Sequence, residues 1–137
     1  MIIDFPNIPE QRLPNFKGGE KEYIARMFFD GQNRIMYGRL EPGASIGLHT
    51  HETSSEIMYF LEGRGKVLLA DGEERVAAGQ CHYCPKGHTH SLVNDSDADV
   101  MTIVTATPKA VRKFIKGILL LHNLVKAQRN RLSAHGL

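Results

Sequence analysis

Residues 47–56 read GLHTHETSSE. Two histidines stand one residue apart, and Glu56 follows the second by five positions. On an extended chain, positions two apart share a face, so His49 and His51 project together, roughly 7 Å apart along the strand axis. After a connection at residues 52–55, Glu56 opens the next strand, and a neighbouring strand can bring it to the same patch. Two neutral imidazoles and one carboxylate suit a borderline divalent ion, and this set with open positions is the arrangement of non-haem iron oxygenases. A fourth ligand has to come from a distant strand on the same inner face. His90, which opens a strand just after the turn Pro85-Lys86-Gly87, is the candidate. The plainer alternative, four polar residues with no ion, would leave ionisable groups uncompensated inside an apolar barrel, which is costly.

The scaffold around this stretch reads as strands. From Glu22 to Val104, short runs of Val, Ile, Tyr, Phe, Met and Thr alternate with Gly, Pro, Asn or Asp turn signals. The runs are EYIARMFF, RIMYGRL, SIGLHTH, EIMYFLE, KVLLA, ERVAA, CHYC, HSLV and DVMTIVTA. Turns are expected at DGQN, at EPGA, at the GRG of residues 63–65, at Asp71-Gly72 and at Gly79. Pro42-Gly43 is a good type II pair, and positive φ is expected at Gly63 and Gly65. Asn94 is expected to bond backbone in the turn NDSD. Nearly ten strands with no amphipathic helix among them imply an all-β antiparallel barrel or jelly roll. Residues 1–21, with three prolines and a Gly-Gly pair, read as an extended arm, and residues 22–107 as the barrel.

Two spacings make the reading specific. Gly43, His49, His51, Glu56 and Gly63 follow G-x5-H-x-H-x4-E-x6-G. Gly79, Pro85, Gly87, His90 and Asn94 follow G-x5-P-x-G-x2-H-x3-N. Both match the two motifs of the cupin superfamily at every position, so the chain resembles a small single-domain cupin over about residues 22–106. The resemblance implies a double-stranded β-helix (jelly-roll) barrel. It also implies one divalent metal ion (Fe, Mn, Ni, Zn or Cu) held by His49, His51, Glu56 and His90. The superfamily spans dioxygenases, isomerases, decarboxylases, storage proteins and ligand-sensing domains, and fold alone does not choose among them. The expected function is metal-dependent chemistry on a small polar metabolite (a carboxylate, hydroxy-ketone or sugar derivative) by dioxygenation or isomerisation. In an isomerisation Glu56, as the candidate catalytic residue, or a metal-bound hydroxide would move the proton. A non-catalytic metal-bearing binding or sensor module is the alternative.

Other residues divide by face. Glu56, Met58 and Phe60 alternate along one strand, so Met58 and Phe60 are candidates for an apolar pocket wall, while Ile57 and Tyr59 face away, toward a subunit contact. Cys81 and Cys84 form a C-x-x-C, but positions three apart on a strand face opposite sides, so they read as two separately packed thiols. His82 shares the face of Cys84 and is a further pocket candidate if that face is the inner one. His88 belongs to an exposed turn.

The 137 residues favour one domain. Two cysteines and a start (MIIDFPNIPEQRLP) without a basic, apolar leader point to a cytoplasmic protein with reduced thiols, and no apolar run is long enough to span a bilayer. All fifteen Asp and Glu lie at or before Asp99, against ten Lys and Arg, so the body carries −5 and the tail after Pro108 carries +7. Within residues 108–137, Val111, Phe114, Ile115, Ile118, Leu121, Leu124 and Val125 follow helical spacing, predicting a basic C-terminal helical extension. No base-reading motif accompanies the charge, so no nucleic-acid partner is expected. The expected partners are a small-molecule ligand and a second copy in a homodimer, which would cover strand edges.

Overall fold

In a computed structural model, which describes residues 1–108 and 123–131, ten strands form two antiparallel sheets. They are β1 (Gln11–Pro14), β2 (Glu22–Phe29), β3 (Arg34–Leu40), β4 (His49–Thr50), β5 (Ser55–Glu62), β6 (Arg64–Leu69), β7 (Gly72–Ala77), β8 (Cys81–Cys84), β9 (Thr89–Val93) and β10 (Val100–Thr107). One sheet has the order β1-β2-β3-β10-β5-β8, the other β4-β9-β6-β7. This is the jelly-roll barrel that the two motifs implied, and one of the two architectures left open by the strand pattern. Residues 123–131 are helical. The basic cluster Lys109, Arg112, Lys113 and Lys116, and most of the apolar stripe, lie outside the described residues. Among the described residues no helix is long and apolar enough to cross a membrane.

The core follows from strand alternation. Met36, Gly38 and Leu40 of β3, Met58 and Phe60 of β5, and Val100, Thr102 and Val104 of β10 point inward and are buried. They pack with Tyr23, Ile46, Val67, Val76 and Leu92. Gly38 is needed there, because a Cβ on it would lie 2.3 Å from the Tyr23 hydroxyl oxygen. The ring of Tyr23 therefore occupies the space a side chain at position 38 would take.

The turns show where local reading holds and where it slips. Ala44 N–H donates to Glu41 O at 2.9 Å with Gly43 at φ +83°, the expected type II geometry. Asn94 is fully buried. Its amide donates to Leu40 O and Ala98 O at 2.8 Å each, and its carbonyl accepts from Ser96 N–H and Oγ. The GRG stretch is a corner, since β5 and β6 belong to different sheets. Only Gly63 takes positive φ, at +84°; Gly65 is extended within β6 and needs its missing side chain because Val93 O approaches closely. The β6–β7 loop is Ala70-Asp71 and not Asp71-Gly72, because Leu69 pairs with Gly72. The N-terminal segment also holds more structure than an arm. Residues 11–14 add an edge strand to β2 despite Pro14, which an edge tolerates, and Arg26 donates to Ile8 O.

Candidate metal centre

The four motif side chains converge at one end of the barrel. His49 lies on β4 directly opposite His90 on β9. His51 leaves β4 and is tied to the turn between β8 and β9, its N–H donating to His88 O and its carbonyl accepting from Gly87 N–H. That pairing explains why a turn with Gly87 at φ +87° precedes His90. Glu56 does not come from a neighbouring strand as the local pattern suggests. It lies on β5 in the other sheet and reaches across the barrel.

The donor atoms are closely spaced. His51 Nε2 lies 3.1 Å from His49 Nε2, 3.0 Å from His90 Nε2 and 3.1 Å from a Glu56 carboxylate oxygen. The other Glu56 oxygen is 3.2 Å from His90 Nε2. The set is close enough for one ion to be held by all four side chains. The Nδ1 atoms are engaged elsewhere: that of His49 with Gly47 O at 2.7 Å and that of His51 with Ser54 Oγ at 3.3 Å. With Nδ1 protonated, the Nε2 lone pairs point at one another and at a carboxylate. A cation relieves that repulsion, and this chemistry is why the cluster could hold a metal.

The electrostatics suit ligation. Burial works to raise the pKa of Glu56, but with no ion present hydrogen bonds and charge from His51 and His90, when those rings are protonated, outweigh it and hold the carboxyl at about 2; a bound cation would take the place of those protons. His49 is pushed down, chiefly by burial, which favours its neutral, ligating form.

A cavity of about 310 Å³ opens onto this cluster, lined by His49, His51 and Glu56. Its apolar wall is Phe16, Tyr23, Met36, Ile46 and Val104, and Lys17 and Arg34 stand at its exposed end. Met58 and Phe60 do face inward, but they are fully buried and are not among the residues lining this cavity. His82 is also inward and buried, behind the cluster, with Nε2 3.0 Å from His90 Nδ1. Cys81 is exposed and Cys84 buried, so the two thiols face opposite sides. His88 is exposed. Reading the sequence missed Phe16, Lys17 and Arg34 as cavity residues. No local pattern marks them, since they reach the site only through the pairing of β1, β2 and β3.

A family model described as a cupin domain matches residues 36–106. The chain belongs to the cupin family. It is 30% identical over 107 residues to an oxalate-binding protein of Thermotoga maritima, spanning 73% of this chain and 88% of that relative. Among solved structures, a predicted oxalate decarboxylase of Thermotoga maritima superposes with a TM-score of 0.74 at 26% identity, covering 79% of this chain and 99% of that one. A sugar phosphate isomerase of the cupin superfamily from Silicibacter pomeroyi shares the fold at TM-score 0.64 and 24% identity, covering 78% and 75%.

Proposed function

We propose that this cupin is a metal-dependent enzyme acting on a small carboxylate anion of the oxalate type. The observation that carries the reading is that the donors His49, His51 and Glu56 and the cations Lys17 and Arg34 line one cavity. His49, His51, Glu56 and His90 would hold a divalent ion, which would supply Lewis acidity toward substrate oxygens. The protein's own groups do the rest. Ionised Glu56 offsets one charge of the ion, and both of its oxygens face histidine nitrogens, so it serves first as a ligand; proton transfer by Glu56 requires one oxygen to leave that position. Lys17 and Arg34 make no ion pair among the described residues. Each lies near an aromatic ring, Lys17 Nζ 5.6 Å from the Phe16 centroid and Arg34 Cζ 4.9 Å from that of Phe29. Their charge attracts an anion to the opening, and the apolar wall excludes water around it.

The test is calorimetric titration of oxalate into metal-loaded and metal-free protein, followed by assay of oxalate consumption in air. Binding is expected only with metal and should weaken with salt. The pair Lys17→Gln/Arg34→Gln should bind oxalate roughly 2- to 30-fold more weakly, since two exposed charges contribute roughly 0.2–1 kcal/mol each. Oxalate binding that ignores the metal would sink the proposal. The name of the oxalate-binding relative favours a second reading, capture without turnover. Tight metal-dependent binding with oxalate unconsumed, whichever ion is loaded, selects that reading.

We also propose that the chain pairs with a second copy through the outer face of β5 and β8. Tyr59, Leu61 and Tyr83 are 43%, 38% and 43% exposed there, and Ile57 pairs with Tyr83 across the strands. Sedimentation should show a dimer, and Tyr59→Glu/Tyr83→Glu should shift it to monomer. A monomeric wild type at high concentration rules the pairing out.

A further inference from the structure

We propose that His82 is a positioning residue for the metal centre: it accepts the Nδ1 proton of His90 and so keeps His90 Nε2 free to ligate. The inference rests on the metal reading above and assigns a part to a residue that neither sequence motif specifies.

Each ring nitrogen of His90 has a different neighbour. Nε2 faces His51 and Glu56, whereas Nδ1 faces His82 Nε2 at 3.0 Å. The two rings lie 28° from coplanar with centroids 5.1 Å apart. At that separation, with the nitrogens in contact, the rings meet edge to edge, the geometry of an N–H···N bond and not of face stacking. A neutral imidazole carries one proton, so the direction of this bond decides the tautomer. If His90 donates, Nε2 keeps its lone pair for the ion. If His82 donates, the His90 proton sits on Nε2, inside the donor set, and ligation is blocked.

The other two histidines have acceptors for Nδ1 close in sequence, Gly47 O for His49 and Ser54 Oγ for His51. His90 is 1% exposed, and its Nδ1 bonds only to a side chain from another strand. Bulk water is not available to replace that partner. His82 stands on β8 and His90 on β9, so the bond also links the two sheets directly behind the cluster. Cys84 shares the inner face of β8 with His82, and His82, Cys84 and His90 together have the spacing of a second metal site. In that arrangement His90 Nδ1 would be a ligand and carry no proton, which makes the two assignments exclusive.

The experiment compares wild type, His82→Gln and His82→Leu by competition for zinc against a chromophoric chelator, with melting of the metal-free proteins in parallel. Loss of an outer-shell partner of this kind weakens metal binding about 10- to 100-fold, and this is expected for His82→Leu. The side-chain carbonyl of glutamine can accept the same N–H, so His82→Gln should recover most of the affinity. A packing defect alone would lower metal-free melting in the two variants without this ordering of affinities. Equal affinity in all three proteins, or equal losses in both variants, overturns the proposal. So does a second equivalent of zinc in the wild type that disappears with His82. If His82→Leu fails to fold, nitrogen NMR of the zinc-loaded wild type decides: a protonated Nδ1 and metal-bound Nε2 on His90 are expected, and an unprotonated Nδ1 overturns it. A wild type that takes up no metal overturns this proposal together with the metal reading, whereas unchanged affinity in the variants overturns this one alone.

Discussion

Replacing His51 and Glu56 together by alanine should take bound metal from about one equivalent to background, measured by plasma mass spectrometry after reconstitution. His51 Nε2 is the hub of the donor set, lying within 3.1 Å of donor atoms from all three other side chains. Glu56 is the one anionic donor and the one contributed by the β5 sheet. Without both, two neutral histidines from the other sheet remain, with no charge to offset that of the ion. A second readout separates metal loss from misfolding. At a free metal concentration a hundred times Kd, binding stabilises the folded state by about 2.7 kcal/mol, so the wild type should melt higher with metal and the variant should not respond. A wild type that binds no metal even after anaerobic loading would remove the basis of the enzymatic reading. The chain would then be a cupin-fold binding module whose ligand does not depend on an ion.

Phe60→Ala is expected to destabilise the protein by about 3–5 kcal/mol, the range for emptying a buried aromatic site, without loss of metal. Phe60 is completely buried on β5, opposite Thr102 of β10, where the pairing register shifts. It belongs to the same packed cluster as Met58, Leu40 and Val100. Alanine would leave a void that β5, paired with β10 on one side and β8 on the other, cannot easily collapse into. Because a domain of this kind has only about 5–15 kcal/mol in total, chemical denaturation should show a large shift of midpoint. Oxalate affinity of the surviving folded fraction should stay near that of the wild type, since Phe60 does not line the cavity. An affinity loss with stability intact would instead make Phe60 a pocket residue.

Glu56 and Phe60 show how far local sequence reaches. Glu56, Met58 and Phe60 share a face because strand side chains alternate, and that much needs only the strand period. Whether that face is pocket or core depends on what packs opposite it. Glu56 meets the cavity at the open end of the barrel, while Met58 and Phe60 run deeper into the closed interior. The same division separates His49 and His51, whose common direction is local, from His82, whose contact with His90 needs β8 and β9 brought together from different sheets. Tyr59 was legible as outward-facing by the same alternation and is exposed; for Cys81 and Cys84 alternation gave only opposite faces, and the structure makes Cys81 the exposed one.

The sequence by itself determined the jelly roll, the turns at Pro42-Gly43 and Asn94, and the four side chains that form the cluster. The turns and the common direction of His49 and His51 rest on short-range physics: the strand period, the positive φ that glycine accepts, and the few residue types able to bond backbone in a turn; the jelly roll and the full four-residue set rest on the resemblance carried by the two motifs. Tertiary structure alone decided that Glu56 arrives from across the barrel, that residues 11–14 close the edge of a sheet, and that Phe16, Lys17 and Arg34 surround the cavity. These are contacts between strands distant in the chain. Their positions follow from the order in which the strands pair, and pairing order is settled by burying one common core, which no single stretch of sequence records.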